Sequence, residues 1–277
     1  MKKTMNARVE VLTKKVYAYY RAHGRHAMQW RRARTPYRIV ISEVMLQQTQ
    51  VSRVEKKYPE FIKRFPTFQS LADARTTDVL KVWQGMGYNR RALNLKRAAE
   101  IVATTYKGKL PHSPSILETL PGIGKATAGS IAAFAFNRPV PFIETNIRRV
   151  FIHFLFSRKK KVSDEEIMKY VVGTIDTKNP REWYYALMDY GAMLATQKKE
   201  NPNRKSNTYR TQSRFSGSRR ELRGKILSLL LAQKTVLKKE IQHAVKRSKE
   251  EVESILSVLE KEGFVTHQGA KYTVKEK

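Results

Sequence analysis

The sequence predicts a mostly α-helical protein that ends in a small winged helix-turn-helix. Apolar residues recur at helical spacing through roughly the first two thirds of the chain. The same periodicity returns near the C-terminus, where two short strand-like runs follow it, and no convincing strand alternation appears earlier. We therefore expect a helical domain over residues 1–196, a basic connecting segment over 197–218 and a winged-helix-like domain over 219–277.

Three sets of apolar residues illustrate the helical spacing of the first domain. They are Val9, Leu12 and Val16; Val54, Tyr58 and Phe61; and Val79, Leu80 and Trp83. Proline and glycine separate the sets into helices of ordinary length, at Gly24, Pro36, Pro66, Gly87, Pro111, Pro121 and Pro139.

The connecting segment is strongly basic. Eight basic residues and a single acid, Glu200, lie between Lys198 and Arg220, with little that could fill a core. Two interpretations remain open: a solvated linker, or a segment that lies along a phosphate backbone.

The C-terminal domain combines three amphipathic runs with a hairpin. The runs are ELRGKILSLLLA, LKKEIQHAV and SKEEVESILSVLEKEGF, the last opening on a capping box from Ser248 to Glu251. FVTH and KYTV flank QGAK and predict a two-stranded wing. Lys246, Arg247 and Lys249 open the third helix, which could enter a DNA groove, although winged helices also mediate protein contacts.

The charge balance points to a polyanionic partner. The 277 residues include 55 Lys and Arg against 24 Asp and Glu, a formal charge of +31, and nucleic acid is favoured over an anionic membrane surface. No apolar run reaches the length of about 18 residues that spans a bilayer, so we expect no membrane partner and a cytoplasmic, nucleoid-associated protein. The absence of cysteine excludes disulfides, thiolate zinc sites and cysteine-held iron–sulfur clusters.

A glycine hairpin is the most specific motif. In LPGIGKATAGSIAAFAF, Gly122 and Gly124 force a tight turn that opens onto a helix, whose first N–H groups can meet a phosphate oxygen. Lys125 adds charge at the same place, and a monovalent cation could also bind at the hairpin. The alternative is an ordinary turn between two helices.

Glu144 and Asn146 lie about twenty residues further on, in PVPFIETNIRRVFIHF. A carboxylate close in sequence to a phosphate-binding hairpin suggests a use, which we take to be stabilising positive charge that develops on a sugar. The alternative is a helix cap from Glu144 or Thr145.

Several motifs, taken in order, resemble the helix-hairpin-helix DNA glycosylases of the adenine-removing MutY branch. They are Trp30, TPYRIVISEVMLQQTQV, FPTFQSLADA, VWQGMGYNRRALNLKRAAEIV, LPGIGKATAGSI and PFIETNIRRV. The resemblance runs from about Gly24 to Thr196; SEVMLQQTQ and GMGY are specific to the branch, and the hairpin is shared more widely. It implies the helix-hairpin-helix DNA glycosylase fold, with two helical subdomains.

The resemblance also implies roles for three catalytic residues. Glu43 matches the acid that protonates N7 of an adenine rotated out of the duplex, and its apolar neighbours should raise its pKa by desolvation. A glutamate on the solvent side of its helix is the alternative. Glu144 matches the carboxylate that stabilises the sugar, and Asn146 matches the asparagine that orients it.

Further positions match the base pocket and the DNA contacts. Gln48 matches the residue that fills the gap left by the extruded base, while Thr49, Met86 and Tyr88 match positions that contact or support the opposite, oxidised guanine. The pocket positions are Trp30, Arg31, Ala126 and Tyr185, and the hairpin contacts are Gly122, Gly124, Lys125 and Thr127.

Four departures from the family pattern limit the transfer of roles. Glu144 stands where the family has Asp, which moves the carboxylate by about one bond length. Ala126 offers no amine for a Schiff base, so a monofunctional glycosylase is expected, and Ala126 with Tyr185 leaves base selectivity open. The four cluster cysteines are missing, so packing of Tyr209 and Phe215 with Asn and Arg hydrogen bonds is expected to organise residues 195–215. The winged-helix-like domain replaces a Nudix-like domain.

The resulting functional hypothesis is a monomeric, cofactor-free DNA glycosylase that hydrolyses the glycosidic bond of adenine opposite 8-oxoguanine or guanine in double-stranded DNA. Two alternatives remain open. The first is a thymine or uracil mismatch glycosylase of the same fold, and the second is a non-catalytic DNA-binding protein.

Overall fold

The computed structural model describes residues 2–32, 35–197 and 201–276. The helices of the first part of the chain are α1 (Lys2–His23), α2 (Gln29–Arg32), α3 (Pro36–Leu46), α4 (Val51–Arg64), α5 (Phe68–Asp73), α6 (Thr76–Trp83), α7 (Arg90–Thr104), α8 (Pro114–Leu117), α9 (Lys125–Phe136), α10 (Thr145–Leu155), α11 (Asp164–Thr174) and α12 (Pro180–Gln197). A short 3-10 helix, Pro202–Lys205, precedes α13 (Arg219–Gln233), β1 (Thr235–Leu237), α14 (Lys238–Val245), α15 (Lys249–Lys261), β2 (Val265–Gln268) and β3 (Lys271–Val274).

The mostly helical prediction is confirmed, and the helices form where apolar residues recur at helical spacing. Val54, Tyr58 and Phe61 are buried along one face of α4. Local caps set element ends, as where Thr67 and Ser70 form a capping box at the start of α5. Within the described ranges, no helix is long and apolar enough to cross a membrane.

Contacts group the chain into two compact units, each discontinuous in sequence. Unit 1 comprises Met1–Glu43, Pro111–Thr119 and Ile123–Thr211, and unit 2 comprises Val44–Leu110, Leu120–Gly122 and Gln212–Lys277. The division at Thr211 falls inside the predicted connecting segment 197–218, of which residues 198–200 lie outside the described ranges. The three-segment division of the chain stays a prediction.

An aromatic core fixes the helices of unit 1. The rings of Phe134 in α9 and Tyr185 in α12 stack with their centroids 4.4 Å apart and their planes 4° from parallel. The ring centroids of Phe142 and Tyr184 lie 4.1 Å apart. A Cβ on Gly129 would come within 2.7 Å of the Phe142 Cβ. The glycine therefore permits the close approach that holds α9 in place.

Residues 201–207 of unit 1 are tied to α10 and to the strand-like stretch before α11. The Asn203 Nδ2 donates to the Thr145 carbonyl (2.9 Å), and the Val162 N–H donates to the Lys205 carbonyl (2.8 Å). Asparagine hydrogen bonds thus organise this stretch, as expected. The expected packing of Phe215 is wrong, because its side chain is 61% exposed.

The C-terminal part of unit 2 has the element order of a winged helix. Its sheet has strand order β1-β3-β2, with Val236 opposite Tyr272 and Thr266 opposite Thr273. The predicted two-stranded wing is present, but the sheet has three strands because β1 also pairs with β3. Sequence periodicity missed β1 because Thr235–Leu237 is only three residues long.

Charged contacts within unit 2 join the C-terminal helices to α7. Glu262, just after α15, lies 3.9 Å from Arg90 of α7 and also pairs with Arg223 of α13. Its carbonyl accepts from the Arg97 Nη2 at 3.4 Å. Residues 212–277 are thereby held against the helices that follow Val44.

Candidate active site

Glu43 lies in α3 among buried apolar residues, and its alternative place on the solvent side of the helix is wrong. Proline is compatible with the first helical position, so α3 can start at Pro36 and carry Glu43 two turns in. Ile41, Val44 and Met45 are buried, while Glu43 keeps a small exposed fraction. Desolvation nevertheless dominates and, with a smaller contribution from the negative charge of Glu144, raises the pKa of Glu43 to about 7, while Ser130 and Arg31 oppose the shift.

Ser130 of α9 is the hydrogen-bond partner of the Glu43 carboxyl. Its hydroxyl has one proton and also lies 3.0 Å from the Thr127 carbonyl, to which it can donate. A hydroxyl that turns to the Glu43 carboxylate stabilises the charged form and therefore lowers the pKa of Glu43.

Glu144 caps helix α10. Its Oε1 accepts from the Asn146 N–H (2.7 Å) and from the Ile147 N–H (2.9 Å). The capping alternative thus applies to Glu144 rather than to Thr145, because the longer side chain folds back over the first turn. Burial raises the pKa of Glu144, against the two N–H hydrogen bonds and the charge of Arg149. Among the residues that the structure describes, the second oxygen, Oε2, has a hydrogen bond from the Asn146 Nδ2 alone, at 3.4 Å.

Asn146 is held from its other side by Arg149. The Arg149 Nη1 donates to the Asn146 Oδ1 and to the Gly191 carbonyl, both at 2.7 Å. A Cβ on Gly191 would lie 2.4 Å from the Asn146 carbonyl oxygen, so only glycine allows α12 to approach α10 this closely. The side-chain amide of Asn146 is therefore held between Glu144 and Arg149 by two hydrogen bonds.

A buried ion pair orients Arg31. Its Nη1 and Nη2 donate to the two carboxylate oxygens of Asp189 at 2.7 and 2.8 Å, and the Arg25 Nε donates to the same carboxylate at 2.6 Å. Desolvation opposes ionisation of Asp189, but the hydrogen bonds and charge of Arg31 hold its pKa below the usual range. The neighbouring Trp30 is buried as well.

Arg31 also lies over Tyr185. Its Cζ is 4.4 Å from the centre of the ring, whose other face stacks on Phe134. Burial raises the pKa of the Tyr185 hydroxyl, and the charge of Glu43 adds to the effect. Arg31, Tyr185, Glu43 and Glu144 are thus brought together in unit 1.

The hairpin has the predicted geometry. Gly122 has φ +79°, and a Cβ there would lie 2.9 Å from the Asn94 Cβ. Gly124 caps α9 without a side-chain hydrogen bond, and Lys125 is exposed beside it, which suits an anion. Thr127 is half-buried. Ala126 is exposed and lies one turn before Ser130 on the same helix.

Two loops of unit 2 carry the remaining predicted contacts. Gln48 and Tyr88 both have left-handed backbone, with φ +52° and +47°, and both side chains are exposed. Met86 is 2% exposed, so it can support its loop but not contact DNA. Thr49 is half-buried and also has a supporting place, because its hydroxyl accepts from the Arg91 Nη2 at 2.9 Å.

Arg91 joins these two loops. Its Nη1 donates to the carbonyls of Val44 (2.8 Å) and Gln47 (2.6 Å), and its Nη2 donates to the Gly87 carbonyl at 3.1 Å. Burial lowers the pKa of Arg91 to about 10, which leaves it charged at neutral pH. One guanidinium thus satisfies the end of α3 and fixes the turn before Tyr88.

Five residues of these sites were missed by the sequence analysis: Ser130, Arg149, Asp189, Gly191 and Arg91. Asp189 offered a signal, as a lone acid in the apolar run YALMDYGAML. The others offered none, because a serine, a glycine or an arginine in a helix is ordinary until its neighbours are known. The described residues contain no His, Cys, Asp or Glu cluster suited to a metal ion.

Comparison with known proteins identifies the fold. Residues 41–173 match the family model described as HhH-GPD superfamily base excision DNA repair protein. Adenine DNA glycosylase of Buchnera aphidicola subsp. Baizongia pistaciae is 37% identical over 188 residues, 66% of this chain and 52% of that protein. Adenine DNA glycosylase of Mycolicibacterium smegmatis is 33% identical over 225 residues, 75% of this chain and 76% of that protein. A thermostable thymine-DNA glycosylase structure superposes with TM-score 0.62 at 23% identity, covering 71% of this chain and 91% of that one.

The helical fold and the glycine hairpin define the class of helix-hairpin-helix DNA repair proteins. Within that class, this chain belongs to the HhH-GPD superfamily of base excision DNA repair proteins. It spans about half the length of the Buchnera relatives that it matches.

Proposed function

We propose that this protein is a monofunctional DNA glycosylase of base excision repair that removes adenine mispaired with 8-oxoguanine or guanine. The observation that carries the proposal is the pair of carboxyl groups in unit 1. Glu43 has a pKa of about 7 and Glu144 has a raised pKa, and the charge of one acts on the other. A proton donor and a carboxylate that share one site are what glycosidic hydrolysis requires.

In this mechanism Glu43 is the general acid. Its proton passes to N7 of an extruded adenine, so the C1′–N9 bond can break with the bonding electrons moving into a neutral leaving base. The sugar is left with positive charge on C1′ and the ring oxygen. Water adds its oxygen to C1′ and releases a proton, which restores the acid.

Glu144 stabilises the charged sugar, either electrostatically or through a transient adduct. Its Oε1 is occupied by two backbone N–H groups, so we assign Oε2 to face the sugar. Asn146, fixed by Arg149, keeps that oxygen in place. The capping contact draws the longer side chain back to the helix, which supports a catalytic role for Glu144 where relatives have Asp.

The partner we propose is double-stranded DNA with a mismatched or oxidised base pair, bound by a monomer. The exposed hairpin residues Gly124 and Lys125 suit a phosphate, and Gln48 and Tyr88 suit the disturbed base pair. With no cysteine in the chain, we propose that residues 201–207 take the structural place of a cluster through their asparagine contacts with α10.

The proposal is tested by single-turnover excision on duplexes with A opposite 8-oxoguanine, A opposite G, T opposite G and U opposite G. Wild type is compared with Glu43→Gln, Glu144→Ala and a matched control, Glu118→Gln, whose glutamate is exposed at the end of α8. We expect adenine release by wild type and control, and a loss of about a hundredfold or more for each site variant.

The other outcomes each select an alternative. Excision of T or U alone would replace the substrate and favour a mismatch pyrimidine glycosylase, an alternative that the position of the Tyr185 ring beneath Arg31 supports. No excision from any duplex, with DNA affinity unchanged in Glu43→Gln, would favour a non-catalytic DNA-binding protein.

A further inference from the structure

A groove of about 1460 Å³ runs along unit 2, beside Gln48 and Tyr88. One wall is formed by the loops that Arg91 joins, and the other by Gln212, Phe215 and α13. All of these residues belong to the same compact unit, so the groove is a feature of unit 2 alone. Gln48 and Tyr88 are assigned to the disturbed base pair, whereas Gln212, Phe215 and α13 have no role in the proposed function.

The segment before α13 reaches the Tyr88 side chain directly. The Tyr88 hydroxyl accepts from the Gln212 Nε2 in a short contact and from the Arg220 Nη1 at 3.0 Å. The guanidinium carbons of Arg91 and Arg220 lie 5.7 and 5.9 Å from the centre of the ring. Tyr88 nevertheless remains 38% exposed, so a base can still reach it.

The groove offers what an unpaired purine would need. Phe215 presents a ring that is 61% exposed, on which a base can stack. The Arg220 guanidinium is placed by donation to the Ser213 carbonyl at 2.7 Å. The wider lining is basic, with Arg53, Arg90, Arg91, Arg220, Arg223 and Lys225 against Glu221 and Glu262, which suits the phosphates of a strand.

We propose that Gln212 and Arg220, which both contact Tyr88 in this groove, read the edge of the purine left unpaired opposite the excised adenine. The inference rests on the proposed function. Guanine carries an acceptor at N7, whereas guanine oxidised at C8 carries N7–H and a second carbonyl. A protein that distinguishes the two bases therefore needs a hydrogen-bond acceptor for N7–H beside a hydrogen-bond donor for the second carbonyl.

Gln212 and Arg220 supply that combination. Because the Gln212 amide nitrogen donates to Tyr88, its carbonyl oxygen is the acceptor that can meet N7–H, while Arg220 donates to a carbonyl oxygen. Recognition is thus assigned to the segment that precedes the winged helix rather than to the wing strands.

The test measures affinity with a cleavage-resistant, 2′-fluorinated adenine nucleotide placed opposite 8-oxoguanine or opposite guanine. The readout is the ratio of the two dissociation constants, from fluorescence anisotropy of the full chain. In Gln212→Ala and Arg220→Ala the ratio of dissociation constants that expresses the preference for 8-oxoguanine should fall by about tenfold, or reach one, at which no preference remains. The matched control is Arg219→Ala, which removes one positive charge at the adjacent position. Arg219 contacts Ser254 outside the groove. This control should weaken both duplexes alike and keep the ratio.

Each outcome decides the inference separately from the proposed function. A ratio unchanged in both groove variants overturns it, and so does a wild type without preference. Gln212 lies outside regular secondary structure, so Gln212→Ala remains informative if Arg220→Ala fails to fold. Because binding is measured without cleavage, a chain that excises no adenine but loses its preference in Gln212→Ala retains the inference and refutes only the catalytic proposal.

Discussion

The rate of adenine excision should follow the ionisation of Glu43. With a pKa of about 7, roughly half of the carboxyl groups hold a proton at pH 7 and about one in ten at pH 8. At its ordinary pKa of 4.5, only about one in three hundred would do so at pH 7. The fold therefore increases the reactive form at neutral pH by about two orders of magnitude.

The perturbation that tests this account is Ser130→Ala. The Ser130 hydrogen bond lowers the pKa of Glu43, so its removal should shift the pH midpoint of excision upwards. Glu144→Gln removes a negative charge that raises this pKa, so it should shift the ionisation of Glu43 downwards. The opposite signs distinguish an effect on Glu43 from a general loss of structure.

The assay is single-turnover excision from pH 5 to 9 at saturating enzyme. For the slow Glu144→Gln variant, NMR titration of 13C-labelled glutamate carboxyls replaces the rate. Wild type and Glu118→Gln should share a midpoint near pH 7, above which the rate falls about tenfold per pH unit. A wild-type midpoint near 4.5 would refute the account. A downward shift in Ser130→Ala would show that Ser130 accepts from the protonated acid while it donates to Thr127.

Four further predictions concern stability and DNA binding. The raised pKa of Glu43 means that the folded state loses stability as pH rises from 4.5 through 7, so Glu43→Gln should increase the free energy of unfolding at pH 8 by at most about 3 kcal/mol, seen as a higher melting temperature, and should not do so at pH 4. Gly191→Ala forces a Cβ within 2.4 Å of the Asn146 carbonyl and should cost about 1–3 kcal/mol in thermal unfolding while slowing excision; an unchanged melt would contradict the packing. Arg91→Ala leaves loop carbonyls unsatisfied and should destabilise the fold by about 2 kcal/mol or more in urea and weaken mismatch binding, whereas Arg64→Ala, at an exposed arginine of unit 2 outside the groove, should do neither. Duplex affinity should fall by about a hundredfold between 50 and 200 mM salt; a flat titration would rule out the phosphate contacts.

The sequence predicts the elements of this fold better than their grouping. Helical spacing of residues such as Val54, Tyr58 and Phe61 predicts α4, because periodicity is local to a segment. It cannot predict that Gln212–Lys277 joins Val44–Leu110 in one unit, because that contact depends on pairs such as Arg223 with Glu262. The strand Thr235–Leu237 was missed because it is only three residues long and because its partner lies more than thirty residues away.

The residues of the candidate site also fall into those that the sequence predicts and those that only the fold reveals. Glu43 and Asn146 are predictable because they belong to the motifs SEVMLQQTQ and PFIETNIRRV, and the desolvation of Glu43 follows from its apolar neighbours. Ser130 and Gly191 are not, because each acts through one contact across the fold, with Glu43 and with Asn146 respectively. Their chemistry appears only when α9 and α12 are in place.

The two units of the chain suggest a division of labour. Every residue proposed to act on the adenine or its sugar belongs to unit 1, and every residue proposed to read the opposite purine belongs to unit 2. Only four residues lie between Glu43 and Gln48, so the general acid and the residue proposed to fill the base gap are close in the sequence. Arg91 holds the end of α3 that connects them. A perturbation of Arg91 should therefore affect excision and opposite-purine preference together, whereas Gln212→Ala should affect only the preference and Ser130→Ala only the pH profile.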